Sequence, residues 1–250
     1  MKNIYRLAEL NIEIESLYSR VHELCDDYIV DGVCFNFSVK TDQANIDFER
    51  RKYDREKQLE GKDTVYYSDA YLETLAVYRK IAEKMPFYDG MLFHGSCVSV
   101  DGVGYLFTAK SGTGKSTHTG LWRKLLGDRA VMVNDDKPLI RVKDGIPMIY
   151  GTPWDGKHRL SNNISVPLKA LCVMERAEKN SIRRVSAYEA YPMLLQQVYR
   201  PMDSEAMKKT IELIDRLAAS VSLWRLSCNM DIEAAKIAYD AMEAETNEVK

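Results

Sequence analysis

Long apolar runs are missing from this sequence, and so is an excess of charge of either sign. No run approaches the ~20 consecutive apolar residues that a membrane-spanning helix needs, and the N-terminus lacks the apolar core of a signal peptide. The net charge of −2 supplies no basic field for nucleic acid or for an anionic membrane surface. We therefore expect a soluble, cytoplasmic protein that binds neither nucleic acid nor membrane.

Paired cysteines are also missing. The five cysteines form no CxxC pair and their number is odd; they are Cys25, Cys34, Cys97, Cys172 and Cys228. Zinc sites and disulfide frameworks need paired spacings, so we expect free thiols. No internal repeat or low-complexity tract is visible. An apolar fraction of 46% is enough for a sizeable core.

Apolar periodicity predicts an α/β protein. We expect one domain over residues 1–250, with a central mixed β-sheet and flanking helices. Its three predicted regions are N-terminal strands and a helix (1–90), a nucleotide-binding core (91–178) and a C-terminal helical region (179–250).

Within the first region, alternation predicts strands at 11–15 and 33–39. The highly charged stretch 49–63 predicts a surface loop or hairpin end. A helix should follow, capped by Ser68 or Asp69 and stopped by Pro86.

The strongest local signal is the stretch Ala109-Lys110-Ser111-Gly112-Thr113-Gly114-Lys115-Ser116, here called the glycine loop. An apolar strand precedes it and an amphipathic helix follows, as a phosphate-binding P-loop requires. The two glycines let backbone N–H groups turn towards phosphate oxygens, and the start of the helix adds its positive dipole end. The pattern predicts an ATP site in which Lys115 reaches the β- and γ-phosphates, Ser116 ligates Mg²⁺ and Thr117 faces the α-phosphate. The predicted nucleotide contacts are Ser111, Gly112, Thr113, Gly114, Lys115, Ser116 and Thr117.

A pair of acids follows the next apolar strand. Asp135 and Asp136 stand where a P-loop protein places the acidic partner of its metal. Because neighbouring residues on a strand end point in opposite directions, one can hold Mg²⁺ while the other faces the substrate. The alternative is a solvated turn before Pro138.

Three further residues are candidates. His94 lies on the strand upstream of the loop, where it is either catalytic or part of the core. The stretch 151–157 combines Gly, Pro, Trp, Asp and Lys, which suits a loop held close to a ligand. There Asp155 is a candidate second metal ligand and Lys157 a candidate partner of the transferring phosphoryl group, unless the stretch is an ordinary turn.

From His94 to about residue 175 the sequence resembles the HPr kinase/phosphorylase family, whose P-loop architecture phosphoenolpyruvate carboxykinases share. The resemblance rests on a strand carrying His94, the loop Ala109–Ser116 after a hairpin, and Asn134-Asp135-Asp136. It implies a fold of the HPr kinase/phosphoenolpyruvate carboxykinase type, with His94 near the γ-phosphate and the acidic pair supplying metal binding and the base. Residues 151–159 depart from the glycine-rich stretch of true HPr kinases, so the resemblance implies a divergent relative.

The hypothesis that follows is an ATP- and Mg²⁺-dependent kinase. It predicts phosphoryl transfer to a serine-like hydroxyl on a small molecule, peptide or protein. The catalytic candidates are Asp135, Asp136, His94, Lys115 and Lys157, and the metal candidates are Ser116, Asp136 and Asp155. The resemblance also makes a homo-oligomer possible. The alternative is a nucleotide-binding regulator with little or no transferase activity.

Overall fold

A computed structural model describes residues 1–59 and 61–244. The chain forms two compact units, Met1–Lys84 and Met85–Lys250, and each is described by itself. The single domain with three regions that the sequence suggests stays a prediction. Among the described residues, no helix combines the length and the apolar character that crossing a bilayer requires.

The described residues of the first unit form a three-stranded sheet and three α-helices. Strands β1 (Lys2–Leu7) and β2 (Leu10–Glu15) form an antiparallel hairpin, and β3 (Phe37–Lys40) lies parallel to β2. The helices are α1 (Arg20–Leu24), α2 (Gln43–Leu59) and α3 (Asp69–Lys84), with a 3₁₀ turn at Asp26–Tyr28. The predicted strand 11–15 and the helix after Ser68 are confirmed. The strand predicted at 33–39 begins only at Phe37.

The surface loop predicted over residues 49–63 is wrong, because residues up to Leu59 belong to α2. The helix is highly charged, yet it keeps a narrow inner face on which Ile46 and Glu49 are buried. Glu49 accepts a hydrogen bond from Arg79 of α3. Because this helix packs through so few residues, its composition is mostly charged and resembles that of a surface loop. The sequence therefore predicted a loop where the structure has a helix.

The second unit is built on one curled, mixed sheet that has nine strands in the part of the chain the structure describes. The strands are β4 (Gly90–Leu92), β5 (Ser96–Val100), β6 (Val103–Thr108), β7 (Ala130–Asn134), β8 (Leu139–Lys143), β9 (Ile146–Tyr150), β10 (Ser165–Arg176), β11 (Ser181–Arg184) and β12 (Ser222–Cys228). Their order is β4-β8-β9-β10-β6-β5-β7, and β12 pairs with both β10 and β11.

The long strand β10 connects the parts of this sheet. Its beginning pairs antiparallel with β9, and the rest pairs in parallel with β6 on one side and β12 on the other. Because parallel strands end at the same edge, the ends of β6, β10 and β12 lie together. The site described below is built at this edge.

Helices cover both faces of the sheet. Helices α5 (Ala187–Gln197) and α6 (Ser204–Ser220) pack on one face, and α4 (Lys115–Leu126) and α7 (Ile232–Ala244) pack on the other. A capping box of Ser186 and Glu189 begins α5. Helix α4 ends at Gly127, which adopts φ 58°. Strand β11 was not predicted, because its alternation is short and mostly exposed.

His118, on the first turns of α4, belongs to the core. Its Nε2 accepts a hydrogen bond from Trp122 Nε1 at 3.0 Å, and its ring packs edge-on against Phe107. The Nδ1 atom is buried without a partner. Burial lowers the pKa of His118 to about 4, so the imidazole stays neutral in the fold at pH values where an unfolded chain takes up a proton.

We therefore expect acid to destabilise the protein through His118. In the unfolded state His118 is protonated below pH ~6.5, whereas in the folded state it is protonated only below about pH 4. The free energy of unfolding therefore falls by about 2–3 kcal/mol as the pH is lowered over this range. His118→Gln keeps an acceptor for Trp122 but removes the titration. Urea unfolding at pH 7 and pH 4.5 should show a smaller loss for this variant than for wild type. Exposed His158→Gln is the control, and equal losses in all three proteins would contradict the assignment.

Candidate functional site

The glycine loop connects β6 to α4 at the edge where the parallel strands end. Gly112 and Gly114 have φ of 79° and 118°, values that side chains other than glycine rarely adopt. A Cβ placed on either would meet nothing within 4 Å, so backbone conformation and not crowding requires glycine here. Among the described residues, their N–H groups have no acceptor.

Lys115 lies folded against the loop it belongs to. Its ammonium is buried and donates to the carbonyl of Ala109 at 3.2 Å. Burial lowers the pKa of Lys115, and the charge of Asp136 partly opposes this. Thr113 closes the tip of the loop, since its N–H and its hydroxyl both donate to Lys110 O.

The remaining loop residues differ in exposure. Ser111, Gly112 and Thr117 are exposed, whereas Ser116 is half-buried on the first turn of α4. Thr119, one turn further on, is buried and bonds to Ser96 Oγ at 2.9 Å. That contact fixes the start of α4 on strand β5.

The acidic turn after β7 is organised by a fully buried asparagine. The side-chain oxygen of Asn134 accepts from the N–H groups of Asp136 and Lys137, at 2.9 and 2.7 Å. Its amide nitrogen donates to the carbonyls of Thr152 and Trp154. One side chain therefore holds both the acidic pair and the loop after β9 that faces it.

Asp135 is buried with one oxygen unsatisfied. Its Oδ1 accepts a hydrogen bond from Gly156 N, whereas Oδ2 has no partner. A Cβ on Gly156 would lie 2.8 Å from Oδ2, so the carboxylate fits only because residue 156 is glycine. Burial raises the pKa of Asp135, and the carboxylates of Asp155 and Asp136 add to the increase.

Asp136 points to the other side of the turn, towards His94. His94 Nε2 lies 3.4 Å from its carboxylate, and His94 Nδ1 is 2.7 Å from Gln197 Oε1 at the end of α5. Burial acts to raise the pKa of Asp136, but the contact with His94 and the charges of Lys137 and Lys115 lower it overall. The two neighbouring acids thus have pKa values shifted in opposite directions.

The loop after β9 brings a third carboxylate. Asp155 is half-buried and accepts from Ser161 Oγ at 3.1 Å. Burial raises its pKa, with Asp136 contributing through its charge. Lys157 is exposed on the same loop, and Arg159 has a left-handed backbone with φ 51°.

The residues predicted from the sequence therefore converge in part. Asp135 and Asp136 follow one another after β7, and His94 Nε2 lies 3.4 Å from the Asp136 carboxylate. The charges of Lys115 and Asp155 act on this acidic pair at the sheet edge. Lys157 lies at the surface of this region. His118 and Trp154 are buried in the core.

Four residues of the site carry no sequence motif. Asn134 and Gly156 lie within the stretches 134–136 and 151–157 but had no predicted role. Gln197 and Arg176 lie on elements distant in the sequence. Arg176 ends β10 and donates to the carbonyls of Gly112 and Thr113. Only the strand pairing shows that the end of β10 lies beside the glycine loop, which is why sequence reasoning did not find it.

These elements define an α/β protein with a mixed sheet, helices on both faces and a glycine loop beside an acidic turn. Residues 63–231 match the model of the family described as SynChlorMet cassette protein ScmC. The match spans more than half of the 250 residues, so the chain belongs to the ScmC family. The matching family model is that of ScmC and not that of HPr kinase/phosphorylase. The resemblance of this sequence to HPr kinase/phosphorylase rests on the motifs alone.

No curated protein matches the chain. Among solved structures, the Hpr(Ser) kinase/phosphatase from Coxiella burnetii is similar to this chain at 9% identity and a TM-score of 0.35. The similarity covers 62% of this chain and 98% of that one. At this level it carries no conclusion about fold or function.

The close approach of Gly156 to Asp135 gives a stability prediction. Gly156→Ala should force the carboxylate or the loop to move, and overpacking of this kind costs about 1–3 kcal/mol. Thermal unfolding should show a lower midpoint for this variant. Gly120→Ala is the matched control, because a Cβ there meets nothing within 4 Å in the middle of α4 and should stabilise the helix slightly. An unchanged midpoint for Gly156→Ala would show that the contact is absent.

Proposed function

We propose that the protein is an ATP-dependent kinase that transfers the γ-phosphate to a hydroxyl acceptor. The observation that carries the proposal is the Asp135 carboxylate. One of its oxygens is fixed by Gly156 N–H, and the other is buried, unpartnered and raised in basicity by its surroundings. A buried carboxylate beside a phosphate-binding motif has the properties of a general base.

In this proposal, the glycine loop binds the triphosphate. The N–H groups of Gly112 and Gly114 and the start of α4 provide donors for phosphate oxygens. Lys115 exchanges its contact with Ala109 O for the β- and γ-phosphates. Ser111, Thr113 and Thr117 complete the phosphate contacts.

The site also fits a magnesium ion, because its donors are hard oxygens. Ser116 and Asp136 would hold the ion, with Asp155 as a further ligand. Among residues 1–59 and 61–244, no group of three or more His, Cys, Asp and Glu is arranged as a metal site. An ion held by Ser116, Asp136 and Asp155 would take its other ligands from phosphate and water. When bound, it would neutralise charge on the β- and γ-phosphates.

The acceptor hydroxyl loses its proton to Asp135 Oδ2 as its oxygen forms a bond to the γ-phosphorus. The bond between that phosphorus and the bridging oxygen breaks, and ADP leaves. Lys115 stabilises charge on the transferring phosphoryl group. Lys157, which is exposed on the loop after β9, would approach this group from the surface. His94, held by Gln197, keeps Asp136 ionised and oriented. The acceptor is a serine-like hydroxyl on a small molecule, peptide or protein.

Removing the loop lysine tests nucleotide binding. We expect Lys115→Ala to weaken MgATP affinity about 10- to 100-fold, because a charge-assisted hydrogen bond to phosphate contributes about 1.5–3 kcal/mol. Isothermal titration calorimetry measures the affinity. Lys124→Ala, at an exposed position on the same helix, should bind like wild type. Wild-type affinity in Lys115→Ala would remove the basis of the ATP site.

The acidic pair separates a kinase from a nucleotide-binding regulator. Asp135→Asn should leave MgATP affinity nearly intact while transfer falls about 10²- to 10⁴-fold, as expected for loss of a general base. Asp136→Asn should weaken MgATP binding as well, because it removes a metal partner. Calorimetry gives the affinities. Transfer of labelled γ-phosphate, screened over serine-containing peptides and hydroxyl metabolites, gives the rates.

Asp144→Asn is the control for this pair, since Asp144 lies exposed in the turn between β8 and β9 with a left-handed backbone that asparagine tolerates. If both site variants lose only binding, and wild type transfers phosphate to none of the acceptors, the regulator is the better account. If both bind and turn over like wild type, the acidic pair is only a turn and the mechanism fails.

A further inference from the structure

Arg176 makes a two-pronged contact with the back of the glycine loop. It is the last residue of β10, and its guanidinium donates through Nε to Thr113 O at 3.1 Å and through Nη2 to Gly112 O. The planar fork of arginine suits two neighbouring carbonyls in a way that a lysine ammonium does not. The side chain is otherwise exposed.

This contact completes a pattern around the loop. The carbonyl of Ala109 accepts from Lys115 and that of Lys110 accepts from Thr113. With Arg176 on Gly112 and Thr113, four loop carbonyls are bound by donors. Since a peptide group points its N–H opposite to its C=O, fixing the carbonyl of Thr113 orients the N–H group of Gly114. Fixing the carbonyl of Gly112 orients the Thr113 N–H that donates to Lys110 O.

We propose that Arg176 is a positioning residue that holds the glycine loop in its anion-binding conformation before a ligand arrives. The inference rests on the proposed function, in that the anion is the nucleotide triphosphate. A preformed loop lowers the ordering cost of binding. Arg176 therefore acts on nucleotide affinity and not on the chemical step.

The backbone that carries Arg176 is held in place at the end of β10. Residues 170–176 of β10 pair with 222–228 of β12, and Ala177 N–H donates to Cys228 O directly after the arginine. The neighbouring Glu175 accepts from Ser227 Oγ at 2.6 Å on β12. The guanidinium thus extends from a residue whose two neighbours in the sequence, Glu175 and Ala177, are both hydrogen-bonded to β12.

The experiment compares wild type, Arg176→Ala and Arg176→Lys. In the nucleotide-free, deuterated protein, ¹⁵N relaxation should give rigid amides at Thr113 and Gly114 for wild type, with order parameters near ~0.85, and values falling towards ~0.6 in Arg176→Ala. MgATP affinity should weaken about tenfold, while transfer of labelled γ-phosphate at saturating MgATP stays within about twofold. Arg176→Lys, which can reach one carbonyl at a time, should fall between the two.

Arg129→Ala is the matched control, since Arg129 is also exposed and binds Asp101 and Tyr239 away from the loop. Unchanged order parameters in Arg176→Ala would overturn the proposal, and so would a loss of saturated turnover with unchanged affinity, which would place Arg176 on the reacting phosphate. If wild type binds no MgATP, the proposed function fails, and the relaxation data still decide whether Arg176 holds the loop.

Discussion

The side chain of Asn134 is the contact on which the rest of the site depends. It lies fully buried at the end of β7 and uses both ends of its amide, accepting from the acidic turn and donating to the loop after β9. A buried amide that lost these partners would cost far more than one hydrogen bond contributes. Its effect is to fix where Asp135 and Asp136 point, and to bring Gly156 close enough to contact Asp135.

Two adjacent acids with opposite environments follow from that geometry. Asp135 is turned into the protein, where burial favours its neutral form. Asp136 is turned towards His94, Lys137 and Lys115, and the contact with His94 and the charges of the two lysines favour its ionised form. Environments that push two carboxyl pKa values apart commonly separate an acid–base role from a metal-binding role. The division of labour that we propose therefore rests on the surroundings of each residue and not on its identity.

Local patterns predicted much of the second unit and less of the site. The hairpin before the glycine loop, its second strand and the helix after the loop agree with the structure, because each is encoded in contiguous residues. The charged helix α2 was mistaken for a loop because few of its residues pack inward. Gln197 and Arg176 were missed because only long-range strand and helix packing brings them beside His94 and the loop. Such neighbours leave no periodic signal in the sequence.

The pairing of β10 with a strand on each side has a consequence for how the second unit unfolds. Its residues 170–173 are hydrogen-bonded to β6 on one side and β12 on the other, while its first residues hold β9. Neither half of the sheet can open without exposing this strand, so the sheet should unfold as one cooperative unit. The amides of β10 should then exchange with solvent only through that global event, far more slowly than those of the edge strands β4 and β7.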